Sequence, residues 1–394
     1  MKHAIAALCL LTAAGALGAG SAGAEETGAP FPFTDVANGH FARDAIRIVS
    51  VDNDWLPAGA TRFWPASALK RRHLASALVA AFAPEEVVDP ELLFSDLDPA
   101  EPPFAVANVA VKLGWMKSKG DAFDPMGPVS KRVFDRAVIR ALGLQETARA
   151  LDGVSAEDGY RFKTPHMFGD MVLADQLRLH YNYPVGAERF ERRPADPMRR
   201  QDAAYGLARA VQASSGWEVA SLDRYASMVL PPMSAKRARA VEWAFRHVGW
   251  PYVYAGEWSK PTPGGYCCGS QAQGGFDCSG FAWWVLNQPT GSWDPTRLRP
   301  YEGWSLPQRS SYEMARVTSK RRGLAHMRPL DVALFHTSGP DRTWSDMDHA
   351  GVYLGNGWMI HSSGSRGGVT IDKIDEGWWK DAFGWGRRVV PWRV

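Results

Sequence analysis

Hydrophobic positions along the chain follow two regimes. From residue 31 to about 215 they recur as three blocks (about 31–85, 92–145 and 160–215), each reading as helix, Pro-containing loop, helix. The first opens Phe33-Thr34-Asp35-Val36, passes Phe41-Ala42 and Ala45-Ile46 to Phe63-Trp64-Pro65, and enters the helical spacing Leu74, Ala77, Leu78, Ala81. The second opens Phe94-Ser95-Asp96-Leu97, reaches Phe123-Asp124-Pro125 and continues as Phe134, Ala137, Val138, Ala141. The third keeps Phe190, Pro194 and the run Ala204, Leu207, Ala208, Val211. Two short helices cannot bury an apolar face alone, so the three blocks are expected to pack on one another. Residues 216–233, ending in Pro231-Pro232-Met233, read as a linker.

Beyond residue 234 the pattern changes. Ala238, Val241, Ala244, Phe245 and Val248 line one face of a helix that Gly249-Trp250-Pro251 ends. After a Gly/Pro-rich stretch, 261–275, the spacing of Cys278, Phe281, Ala282 and Val285 predicts an amphipathic helix with Asp277 as its cap. Leu330 to Phe335 reads as a buried strand, and Ala350–Leu354, Gly355-Asn356-Gly357 and Trp358–His361 predict a hairpin. A three-residue loop makes paired numbers sum to 712 (354 + 358), which puts His349 and His361 on one sheet face. A two-residue loop makes the sum 713 and puts them on opposite faces. Only the first register lets His361 orient His349, and it is the one expected.

Composition narrows the class. With 394 residues, 45% hydrophobic and 22% charged, the chain is an ordinary globular one of several regions. A net charge of +3 without a long basic run gives no argument for nucleic acid. Lys2-His3, the apolar run Ala4–Leu17 and Ala22-Gly23-Ala24 predict a secretory signal peptide over 1–24 and an exported protein. No other apolar stretch in the sequence is long enough for a membrane span.

Export changes the reading of the cysteines. Without Cys9, the mature chain holds Cys267, Cys268 and Cys278, an odd number for an oxidising compartment, so at least one thiol stays free or pairs between chains. The spacing C-C-x9-C lacks the paired knuckles of a zinc site, and no metal or cofactor is expected. Cys278 falls in a first helical turn, where the helix dipole favours thiolate. With His349 as base and His361 orienting it, the three residues have the composition of an activated nucleophile. The backbone N–H of Cys278 and the hydroxyl of Tyr252 are candidates for stabilising an oxyanion.

Two resemblances follow from these residues. Residues 234–394 resemble an NlpC/P60 cysteine peptidase: Gly249-Trp250-Pro251-Tyr252-Val253-Tyr254-Ala255-Gly256, Phe276-Asp277-Cys278-Ser279-Gly280-Phe281, Pro329-Leu330-Asp331, His349 to Gly355, and Met359-Ile360-His361 follow the family's motifs in order. The resemblance implies an α+β papain-like fold, with the Cys-bearing helix on an antiparallel sheet, that hydrolyses peptidoglycan stem peptides at the D-γ-glutamyl–diamino acid bond. Cys278, His349 and His361 would be catalytic, and Tyr252, Asp277 and Ser279 would contact substrate. The insertion 257–275 would be a substrate-gating loop, its cysteines joined to each other or to nothing.

The three blocks resemble S-layer homology repeats, a mainly helical trefoil that binds anionic secondary cell-wall polymer. Arg71, Lys131 and Arg200 occupy the family's groove position. A catalytically silent wall-binding protein, or an amidase or acyltransferase using the same thiol, shares these features.

Overall fold

The computed structural model describes residues 30–288, 303–338 and 343–391; the signal peptide expected over 1–24 lies outside the described residues. Its N-terminal half is built on helices α1 (Arg71–Phe82), α2 (Lys131–Ala141), α3 (Phe168–Gln176) and α4 (Arg200–Ser214). Helices α1, α2 and α4 are the second helices of the three blocks, and none has a side-chain N-cap. Their orphan first-turn amides are satisfied by the Pro loop of another block instead. Arg71 and Arg72 donate to Gly127 O and Pro125 O, Lys131 and Arg132 to Asp196 O and Pro194 O, Arg200 and Gln201 to Ser67 O and Pro65 O. Each block therefore leans on the next, and the third leans back on the first.

The same cycle closes at its centre. Leu69 N–H donates to Met198 O at 2.8 Å, Met198 N–H to Val129 O at 2.8 Å, and Val129 N–H to Leu69 O at 3.0 Å. The Asp of each clear opening motif holds the Phe turn of its own block. Asp35 accepts from the amides of Phe63 and Trp64, and Asp96 from those of Phe123 and Asp124. Those turns put Trp64 and Asp124 at positive φ, +55° and +60°, a conformation the carboxylate bonds hold in place.

This packing overturns the expected role of the basic residues. Arg71, Lys131 and Arg200 are 6%, 3% and 3% exposed, too buried to meet a polymer. Arg71 Nε donates to Phe123 O at 2.7 Å with its guanidinium over the Phe123 ring, and Arg200 Nε to Phe63 O at 2.8 Å over the Phe63 ring. Lys131 Nζ donates to Gly249 O at 3.1 Å, between Asp135 and Asp175. A cation at this position ties carbonyls of distant segments together rather than facing solvent.

Residues 216–233, expected as a linker, are structured. They hold a helical turn at Trp217–Ala220, a 3-10 helix at Ser221–Ser227, and Val229–Leu230 paired in parallel with Ser155–Ala156. Leu222, Tyr225 and Leu230 are fully or almost fully buried, and Tyr225 Oη donates to Ile371 O at 2.9 Å. Burial of these apolar side chains outweighs the turn-forming Pro231-Pro232 that suggested a linker. Pro32–Val394 consequently pack as one compact unit.

The C-terminal half sets helices α5 (Ala235–Phe245) and α6 (Cys278–Asn287) against a six-stranded sheet. Its strands are β1 (Arg321–Arg322), β2 (Val332–Phe335), β3 (His349–Gly355), β4 (Trp358–Ser363), β5 (Gly368–Lys373) and β6 (Phe383–Arg387), in the order β1-β6-β2-β3-β4-β5, antiparallel throughout. Helix α6 is buried along its whole length rather than amphipathic. Trp284, one turn on from Phe281, packs with it against His247 and Phe276, while Trp283 on the other side stacks on Tyr266. A helix apolar on every side belongs at a core's centre.

Candidate active site

The site forms where the N-terminus of α6 meets β3 and β4. Asp277 caps the helix, its Oδ1 accepting the Gly280 amide at 2.6 Å, which fixes Cys278 at the first helical position. The Cys278 thiol is 8% exposed, and its Sγ lies 3.8 Å from Asp348 O.

The hairpin reaches the expected register by another device. Val352 pairs with Ile360 and Tyr353 with Met359, both summing to 712, whereas Gly355 pairs with Trp358. The loop is therefore the two residues Asn356-Gly357, and a bulge at Leu354–Gly355 absorbs the one-residue difference. Gly355 takes φ +107°, and a Cβ there would run into Pro231. The bulge returns both histidines to one face.

Their hydrogen bonds form a directed chain. His349 Nε2 lies 2.8 Å from His361 Nδ1, and His361 Nε2 lies 2.9 Å from Asp372 Oδ2 on β5. Burial pushes the Asp372 carboxyl upward, but the hydrogen bond from His361 and the nearby Arg366 charge outweigh it and hold the group below its ordinary value. An ionised carboxylate only accepts, so His361 Nε2 carries the proton and its Nδ1 is a lone pair. His349 must then donate through Nε2, which leaves His349 Nδ1 as an unprotonated base.

Burial, then the neighbouring His361, lowers His349 well below 6.5, and burial followed by the Asp277 charge pushes the Cys278 thiol up to about 12. Both shifts favour the neutral form of the group.

Asp277 and Ser279 do not stand free. Arg309 clamps Asp277 with two bonds of 3.0 Å, donates to Ser279 Oγ at 2.9 Å and Gly256 O at 3.0 Å, and pairs with Glu257 Oε2 at 2.5 Å. The compensated guanidinium balances the acid beside the nucleophile. Cys278 and Tyr252 line two cavities. One, of about 650 Å³, also holds His349, Trp378, Trp379, Arg178 and Arg366. The other, of about 400 Å³, holds Tyr254, Asp277, Ser279 and Arg309.

The 257–275 insertion borders the second cavity. Gln271 Nε2 bonds the carbonyls of Trp258, Gln273 and Gly275, and Tyr266 stacks on Trp283. Cys267 and Cys268 form a disulfide with each other, which leaves Cys278 as the free thiol among the described residues. Glu257 with these two sulfurs is the donor set closest to a metal site among the described residues. Its atoms are otherwise engaged, the sulfurs with each other and the carboxylate with Arg309 and the Cys267 amide.

Sequence reasoning missed Asp372, Arg309 and Arg366. Asp372 carried a findable signal: His361 pairs with Thr370, so Asp372, two residues on, is its diagonal neighbour on the same face.

With this geometry in view, residues 249–388 match the NlpC/P60 family, so the C-terminal half carries an NlpC/P60 domain. The chain is 33% identical over 125 residues to murein DD-endopeptidase MepS/murein LD-carboxypeptidase of Escherichia coli K12, covering 32% of this chain and 55% of that protein. It is 33% identical over 120 residues to probable peptidoglycan endopeptidase LytE of Bacillus subtilis, covering 30% of this chain and 28% of that one. Among solved structures, the peptidoglycan hydrolase RipB of Mycobacterium tuberculosis aligns at 22% identity and TM-score 0.27, over 41% of this chain and 70% of that chain. The chain thus spans about half the length of MepS and about a quarter of LytE.

Proposed function

We propose that the protein is an exported peptidoglycan hydrolase that cuts stem peptides at the D-γ-glutamyl–diamino acid bond by a Cys-His-His-Asp mechanism. The observation that carries this reading is the chain from Asp372 through His361 to His349, which leaves one base nitrogen bare in the cavity that also holds Cys278. Cys278 Sγ attacks the scissile carbonyl while its proton passes to His349. The tetrahedral oxyanion is met by the Cys278 N–H, left without a helical partner at a first-turn position, and by Tyr252. Collapse expels the amine, which takes the proton from His349, and water then cleaves the thioester by the same route in reverse.

Mass spectrometry of defined muropeptides tests the reading. Wild type should release fragments with new amines at the diamino acid, and Cys278→Ala should release none. Identical digests from the two proteins would sink it.

The leader would export the chain, and the S-layer homology-like trefoil would hold it at the wall, raising its concentration near an insoluble substrate. With Arg71, Lys131 and Arg200 buried, the anionic polymer would meet a different surface. A cavity of about 430 Å³ lined by Arg189, Arg192, Arg193 and Arg199 offers that charge. Co-sedimentation with isolated wall polymer should weaken with added salt and with Arg192→Ala plus Arg199→Ala; unchanged retention would refute the assignment.

A further inference from the structure

The larger of the two cavities beside Cys278 contains a residue that the catalytic domain does not supply. Arg178 follows α3 in the N-terminal half, more than seventy positions before the first match to the NlpC/P60 family at residue 249. Leu177 and Leu179 on either side are buried at 1% and 0% exposure, while Arg178 itself is exposed and lines the cavity. Its backbone is left-handed, φ +55°, a conformation costly for a side chain as large as arginine. Among the described residues its guanidinium has no hydrogen bond or ion pair. Arg366, which also lines the cavity, is committed, bonding Gln176 O at 2.9 Å and Asp372 Oδ1 at 3.5 Å. The cavity's acid is committed too, since Asp348 accepts from the Thr337 amide and the Ser338 hydroxyl.

The direction of the reaction says which half of the substrate enters this cavity. The leaving amine must reach the group that protonates it, and His349 lines this cavity and not the smaller one. The amine-bearing half of the peptide therefore passes beside Arg178, over Trp378 and Trp379. A free guanidinium there is matched by a carboxylate, which it binds through two parallel hydrogen bonds.

We propose that Arg178 is a specificity residue that pairs with a free carboxylate on the amine side of the scissile bond, so that the substrates are stem peptides whose diamino acid or following residue ends in an unmodified carboxylate. The inference rests on the hydrolase reading above. It also gives the trefoil a part in substrate choice, because the residue is presented from outside the peptidase domain.

The test compares two synthetic peptides that differ only in a C-terminal carboxylate or carboxamide on the amine side, cleaved by wild type, Arg178→Ala and Arg178→Lys. A lost charge-assisted pair should lower wild-type kcat/KM on the amide roughly 10–100-fold relative to the acid. Arg178→Ala should lose a similar factor on the acid and almost nothing further on the amide, and Arg178→Lys should recover part of the preference. Unchanged melting temperatures exclude a folding defect, as expected for an exposed side chain. Wild type cleaving both peptides equally, or Arg178→Ala keeping the wild-type acid-to-amide ratio, overturns the inference and leaves the hydrolase standing. Wild type cleaving neither peptide and no muropeptide overturns both.

Discussion

Replacing Asp372 by Asn puts a donor where the site needs an acceptor. In the wild type, Asp372 Oδ2 accepts from His361 Nε2 at 2.9 Å, while Oδ1 faces the Arg366 guanidinium at 3.5 Å. An Asn would keep its carbonyl oxygen toward Arg366 and turn its NH2 toward His361. His361 Nε2 must then accept, its Nδ1 must carry the proton, and His349 Nε2 becomes the acceptor at 2.8 Å. The remaining proton of His349 moves to Nδ1, the atom that should receive the thiol proton.

An equivalent tautomer reversal in the serine protease triad lowers kcat about 10⁴-fold, or about 5.5 kcal/mol at 1.36 kcal/mol per decade. The same order is expected for Asp372→Asn. Asp372→Ala imposes no tautomer, so it should retain more activity than Asp372→Asn although it removes more atoms. Steady-state cleavage of a stem peptide gives the ranking, and ¹⁵N-resolved histidine spectra report which ring nitrogens are protonated. Asp372→Asn within tenfold of wild type, or more active than Asp372→Ala, would refute the directed chain.

Acid should inactivate the enzyme only well below pH 6.5, because burial lowers His349 and the neutral base persists as pH falls; a kcat/KM profile with its acid limb at or above 6.5 contradicts this. Stability has its own pH dependence through His247, which is buried and lowered to about 4. Below 6.5 the unfolded chain takes a proton that folded His247 refuses, so stability falls as pH drops toward 4, by roughly 3 kcal/mol from this group. The melting-temperature gap between wild type and His247→Gln should shrink over that range, and a constant gap would count against it. Arg71→Ala should destabilise by about 2 kcal/mol, since it strands the buried carbonyl of Phe123 and frees the part-buried one of Lys117, while Arg199→Ala should change stability little; denaturant midpoints distinguish them. Gly355→Ala should lower both melting temperature and activity, since the bulge that aligns the histidines needs its positive φ; full activity would show that the register is held elsewhere.

Much of the site was legible because its chemistry is local. Cys278 announces itself by its cap and its helical spacing, and the two histidines by their distance from one turn. What escaped is contributed by residues whose role exists only after folding. Arg309 reaches Asp277 across thirty-two positions without any periodic signal. Asp372 looks like one more polar residue until β5 is registered against β4. The basic residues at 71, 131 and 200 misled for a definite reason. Charge at the start of a helix normally means solvent, whereas here each side chain donates to a carbonyl of a distant segment. The supposed linker misled in the same way, because Pro231-Pro232 is visible in sequence and the burial of Tyr225 is not.

The closed ring of amides among Leu69, Val129 and Met198 has an arithmetic meaning. An open stack of repeats can gain or lose a member at either end, and its length drifts over evolution as units duplicate. A ring in which the third unit hands its bond back to the first has no end at which to add. Duplicating one block would leave a unit with no carbonyl to meet, and deleting one would leave two units facing a gap. Change in this half of the molecule is confined to the inside of a block, which leaves a worn third block, with Phe190 and Pro194 spaced differently from their counterparts, still in place.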